Sequence, residues 1–133
     1  MNWKLIVQLS TFGLAMGVGT VALIPSTLEP FFWLPIFIVC AYLIAKQAPS
    51  KPFLHGLLLG LANCVWITAA HILFIDRYLA NHANEARMMT SMPATASPQV
   101  VMAIFGPIVG LVSGCVMGTL ALLVTKILKS APR

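Results

Sequence analysis

Apolar positions along this chain gather into four long runs with short polar breaks between them. The first, Leu5 to Ile24, carries only Gln8, Ser10, Thr11 and Thr20 as polar side chains. About 20 helical residues cross a hydrocarbon core of roughly 30 Å. The break from Pro25 to Pro30 then ends that helix with a proline at each side. A second run centres on Phe31 to Ala45 and reaches spanning length if counted over 28–47, which places Glu29 among the headgroups. Lys46 to Pro52 is the next break, Phe53 to Ile75 the third run, and Val100 to Val124 the fourth. In hydrocarbon each backbone N–H and C=O must be satisfied within its own segment, so all four runs are predicted to be helices. The expected fold is all-α: residues 1–133 form one membrane domain, a polytopic protein with four transmembrane helices (about 5–24, 28–47, 53–75 and 100–124) in one small bundle.

The stretch 76–99 is the one extended polar segment. Asp76 to Met89 contains no Gly or Pro, so it either continues the third helix beyond the membrane or lies along the surface. Ser91 to Pro98 has the composition of a loop. Lys4, the apolar run behind it and Thr20-Val21-Ala22 resemble a signal peptide, but the run exceeds the roughly 7–15 residues of a signal core. It is therefore read as a span.

Composition agrees with this pattern. Apolar types make up 59% of the chain and charged types 8%, against roughly a quarter in soluble domains. The net charge of +5 comes from bases scattered singly beside apolar runs, with no stripe suited to nucleic acid. They divide unevenly about the spans. Lys4, Lys46, Lys51, Lys126, Lys129 and Arg133 share one side, whereas Arg77, Arg87 and the three acids Glu29, Asp76 and Glu85 share the other. Under the positive-inside rule both termini and the 46–51 loop are expected in the cytoplasm, and segment 76–99 outside it. The expected location is a bacterial inner membrane. Such a bias also argues against dual topology.

Glycines recur at a spacing of four, which keeps them on one helix face. The fourth helix carries Gly106, Gly110, Gly114 and Gly118. The third carries Gly56 and Gly60, with small residues continuing at Cys64 and Thr68, and the first carries Gly13 and Gly17. Such faces let backbones approach closely, and close packing is a main force joining helices in lipid. The second helix lacks a glycine row and is bulky with Phe31, Phe32, Trp33, Phe37 and Tyr42. It is expected to sit outside the other three, facing lipid. The long row on the fourth helix serves either the monomer alone or also a subunit contact.

Reactive chemistry is sparse. No charged side chain falls within a span, as a proton-coupled carrier would need. Asn63, mid-way along the third helix and on its glycine face, is expected to bond a neighbouring helix or, with Thr11, to line a polar path. His55 and His71 mark the two ends of that helix, where amphipathic side chains reach toward headgroups. A metal site drawn from His71, Asp76, His82 and Glu85 lacks a tight ligand cluster, so no metal and no cofactor is expected. Cys40, Cys64 and Cys115 lie in apolar runs and read as packing residues. Ser113 has no evident base partner, so no catalytic residue is assigned.

Two familiar four-helix types fail on particulars. Small multidrug-resistance carriers need a glutamate in the first helix, and fluoride channels of this size are dual-topology dimers. The His55-Gly-Leu-Leu-Leu-Gly60 opening of the third helix, its exit into Asp76-Arg77-Tyr78, the methionine-bearing stretch from Glu85 to Met92 and the glycine-rich last helix resemble the bacterial family of unknown function DUF4199. That resemblance implies a multi-pass membrane protein and assigns no site residues. The function expected from the sequence is non-enzymatic: a small membrane protein that packs with a second copy of itself or with another membrane protein, its other partner being the lipid bilayer. A small oligomeric transporter or channel is the alternative.

Overall fold

The structure, a computed structural model, describes residues 1–92 and 97–130. The described residues form six helices: α1 (Trp3–Ala22), α2 (Glu29–Gln47), α3 (Pro52–Leu73), α4 (Ile75–Asn81), α5 (Ala83–Thr90) and α6 (Pro98–Ser130). Four of them, α1, α2, α3 and α6, are long and apolar enough to cross a membrane. The chain is an all-helical, four-span membrane protein. The loop expected at Ser91–Pro98 falls partly on residues 93–96, and Arg133 of the charge pattern on 131–133, both outside the described residues.

Local chemistry sets the helix ends. Asn2 caps α1, its side-chain oxygen accepting the Leu5 N–H at 3.1 Å. Pro30 lies in the first turn of α2 and Pro52 opens α3, where a missing N–H costs nothing. Glu29 in the first turn of α2 complements the positive end of the helix dipole.

Helix α3 is the hub, with α1 on one side and α6 on the other. Its contact with α6 is an antiparallel small-residue seam. Gly56 lies against Gly118, Gly60 against Gly114, Cys64 against Gly110 and Thr68 against Gly106. Each step of four up α3 is matched by a step of four back along α6. A Cβ on Gly56 or Gly60 would come within 3.0 Å of the facing backbone, so the helices meet at a distance only glycine permits. On the opposite flank, a Cβ on Gly13 would lie 2.8 Å from the Asn63 Cα, and one on Gly17 would lie 3.0 Å from the Ile67 Cα. The α6 row is therefore covered by α3 within one chain; Gly110, Gly114 and Gly118 are buried.

Helix α2 departs from the expectation of a lipid-facing outsider. Its first half does face outward, with Phe31 72% and Phe32 47% exposed. Its second half buries Cys40, Ala41, Ile44 and Ala45, and Ala48 follows them into the core. There they join Leu5, Leu9, Leu59, Met117 and Ala121 in the main apolar cluster, against which Phe37 also packs. The cause is the distribution of side-chain size along α2. Small residues at 40, 41, 45 and 48 let the helix dock closely beside α6, while Phe31, Phe32 and Trp33 hold its other end away. Tight packing at the end bearing both described termini thus gives way to open space at the end bearing α4 and α5.

Segment 75–90 is neither an extension of α3 nor one surface helix. The chain breaks at Phe74 and again at His82, and α4 folds back against α1. There the Asn81 Nδ2 donates to the Val21 carbonyl at 2.8 Å.

Candidate ligand-binding cavity

Between the splayed half of α2 and helices α1, α3 and α6, beneath α4 and α5, lies a cavity of about 690 Å³. Volumes of roughly 300–1,000 Å³ are those of small-molecule sites. Its wall is mostly apolar. Six of the chain's seven methionines line it (Met16, Met88, Met89, Met92, Met102 and Met117), together with Trp33, Phe37, Ile67, Val101, Phe105 and Val109. Methionine is flexible and polarizable, and it suits surfaces that accept varied apolar shapes. Trp33 and Phe37 meet edge to face at 5.9 Å on the α2 side. Two of the walls have a weakened point, since Pro35 in α2 and Pro107 in α6 each remove one helical hydrogen bond.

Asn63 lines this cavity near mid-membrane. It is only 5% exposed, and its Oδ1 has no hydrogen-bond partner. The expected bond to a neighbouring helix is absent among the described residues, because the α1 surface that the amide meets is Gly13, which has no side chain to offer. A buried amide without a partner costs roughly 1–3 kcal/mol. Thr11 is not brought to Asn63. It lies on an exposed face, its hydroxyl donating to the Gln8 carbonyl at 2.7 Å.

The polar groups collect at the α4–α5 end. The Thr20 hydroxyl donates to the Met16 carbonyl at 2.8 Å and lies 2.8 Å from the His71 Nε2. His71 stacks on Tyr78 at 4.0 Å, and Tyr78 stacks on His82 at 4.1 Å. His82, 1% exposed, donates from Nδ1 to the Tyr78 carbonyl at 2.9 Å, and its Nε2 faces the Glu29 Oε1 at 3.2 Å. Burial pushes the Tyr78 phenol well above its usual range, with Glu85 and Glu29 adding to the effect. It therefore stays protonated at any physiological pH. Ser26 donates to the Glu85 Oε2 at 3.1 Å.

Neither α3 histidine is a headgroup anchor. His71 sits in the stacked column just described. His55 is 2% exposed; its Nδ1 donates to the Lys51 carbonyl at 2.7 Å, and its Nε2 accepts the Asn2 N–H at 2.9 Å. It fastens the start of α1 to α3. Glu29 and His82 are the polar pair that sequence reasoning missed. No spacing rule links residues on α2 and after α4; the one hint was that Glu29 is assigned to the same side of the membrane as the 76–99 segment that carries His82.

The geometry defines a class, a four-span helical membrane protein with a ligand-sized cavity in one half of its bundle. No family model, no curated protein and no solved structure matches the chain.

Proposed function

We propose that this protein is a non-enzymatic membrane protein that binds a lipid-soluble small molecule in the cavity around Asn63. The observation carrying this reading is a methionine-lined space of about 690 Å³ with a buried, unpartnered amide in its wall. An empty apolar hole would need no such group, and a well-packed bundle would supply it with a partner. Ligand binding within the membrane is the first step of a small carrier, the transporter alternative weighed from the sequence. The α6 glycine row lies against α3 within one chain and so argues for no particular second copy or partner protein. The charge bias supports cytoplasmic termini and a cavity toward the opposite face of a bacterial inner membrane. The resemblance to DUF4199 is compatible with this proposal and adds no chemistry to it.

The test is labelling in native membranes with a neutral, lipid-soluble diazirine probe, followed by peptide mass spectrometry. Saturable labelling of peptides containing Met88–Met92 and Met102–Phe105 is expected. It should be reduced in Met102→Trp, which narrows the space. Unsaturable labelling spread evenly over exposed α6 positions such as Val112 and Ile127 would contradict the proposal.

A further inference from the structure

The cavity wall also carries a charge preference, which extends the ligand-binding proposal above and rests on it. Among the described residues that line the cavity, the ionisable groups include two carboxyls, Glu29 and Glu85, and no Lys or Arg. The two arginines at this end of the bundle are turned elsewhere. Arg77 lines a separate small hollow with Val18, Val21, Ala22 and Phe74. Arg87 is exposed and donates to the Asn84 Oδ1 and the Ala83 carbonyl. Glu29 is balanced by His82 at 3.2 Å. Glu85 has only the Ser26 hydroxyl on Oε2, and no ion pair offsets it among the described residues.

The uncharged groups add to this preference. The Asn63 amide is in the wall without a hydrogen-bond partner for its oxygen, which is turned against Gly13. Aromatic ring faces attract cations, and thioether sulfurs are weak acceptors. A wall of carboxylate, ring and thioether in a poorly hydrated space favours positive charge and disfavours negative charge.

We propose that the ligand is a lipophilic organic cation, one whose positive charge is carried on an apolar body such as a substituted ammonium or phosphonium. The apolar body fills the methionine-lined wall. The charge lies toward Glu85, Tyr78 and the aromatic residues. A bare soft metal ion fits this space less well. It needs a few ligands converging on a point, and a cavity of about 690 Å³ leaves most of its wall unused.

Tetraphenylphosphonium and tetraphenylborate have nearly the same shape and opposite charge, so they separate charge preference from apolar fit. Their binding to the purified full chain in mild detergent is measured by equilibrium dialysis. Saturable phosphonium binding at one site per chain is expected, at least about tenfold tighter than borate. Glu85→Gln should weaken phosphonium binding several-fold while leaving borate binding no weaker. Asp76→Asn, an exposed acid away from the cavity, should change nothing. Borate binding as tightly as phosphonium on the unaltered chain, or phosphonium binding indifferent to Glu85→Gln, would overturn the cation assignment. Saturable labelling by the neutral probe would then still stand for the ligand site itself. Loss of both signals would overturn the site and the cation assignment together.

Discussion

Glu29 and His82 stand 53 positions apart in the chain and meet at 3.2 Å, joining the splayed end of α2 to the junction of α4 and α5. Because the Tyr78 carbonyl can only accept, the His82 Nδ1 carries a hydrogen, and one further proton decides the bond to Glu29. With the proton on Nε2, an imidazolium donates to a carboxylate; with the proton on Glu29, a carboxyl donates to a neutral ring. The contact acts as a latch over the cavity. Few other contacts hold this end of α2, since the buried residues of α2 all lie from Cys40 onward.

Replacing His82 by Phe keeps a ring for stacking on Tyr78 but removes both hydrogen bonds. It leaves the Tyr78 carbonyl and the Glu29 carboxyl unpaired, a loss of about 1–3 kcal/mol. The thermal midpoint in detergent should fall. Amide exchange should quicken over 75–90 and the first turn of α2, but not at the α3–α6 seam. Unchanged exchange in the 75–90 segment would show that the latch carries no load.

The glycine seam yields a sharper contrast. Gly114 faces the Leu57 carbonyl, from which a Cβ would lie only 2.6 Å away. Gly114→Leu forces α3 and α6 apart and should cost about 3 kcal/mol or more, seen as poor folding or a greatly lowered midpoint. Leu123 is 51% exposed, and Leu123→Val should stay within about 0.5 kcal/mol of the parent. A folded Gly114→Leu protein with an unaltered midpoint would contradict the seam.

The four spans were legible because lipid imposes a strong length and composition rule, and the α3 and α6 rows because glycine at spacing four is visible without knowing the partner. The docking of α2 was not read. Its signal lay in Ala41, Ala45 and Ala48, small residues that do for α2 what glycine does for α6, but the aromatics at its other end dominated the reading. Asn63 was singled out by being polar and mid-span. Its lack of a partner could not be read, because that depends on which residue of α1 it meets, and the residue is Gly13. The cavity is a consequence of α2 leaning on its small end, a tertiary effect with no local pattern. The turn at Phe74 and the return of α4 onto α1 lacked the Gly or Pro that announces most breaks.

Orientation follows from the charges. In a background lacking the native cysteines, a membrane-impermeant thiol reagent applied from outside should label a cysteine at Ser97 and leave one at Ser50 unlabelled. Both positions are exposed in the fold, so burial does not confuse the result. Labelling at Ser50 alone would invert the topology and place the cavity toward the cytoplasm.

Asn63 should trade stability against binding. Leu has nearly the same shape as Asn and no polar atoms, so Asn63→Leu removes the unpaired buried amide. The ligand-free protein should become more stable by about 1 kcal/mol, while affinity for the cavity ligand falls. A protein destabilised by this substitution would mean that the amide has a structural partner.

The central claim, that the cavity holds a small molecule, is tested most directly by native mass spectrometry of the protein released intact from its own membrane and then titrated with tetraphenylphosphonium. One adduct per chain is expected, either a retained native ligand displaced by the probe or the probe alone, and Met102→Trp should weaken it while keeping the thermal midpoint of the parent. A protein that shows neither a retained ligand nor an adduct with phosphonium, borate or the neutral probe, or an adduct that the folded Met102→Trp protein keeps at undiminished affinity, would contradict the claim.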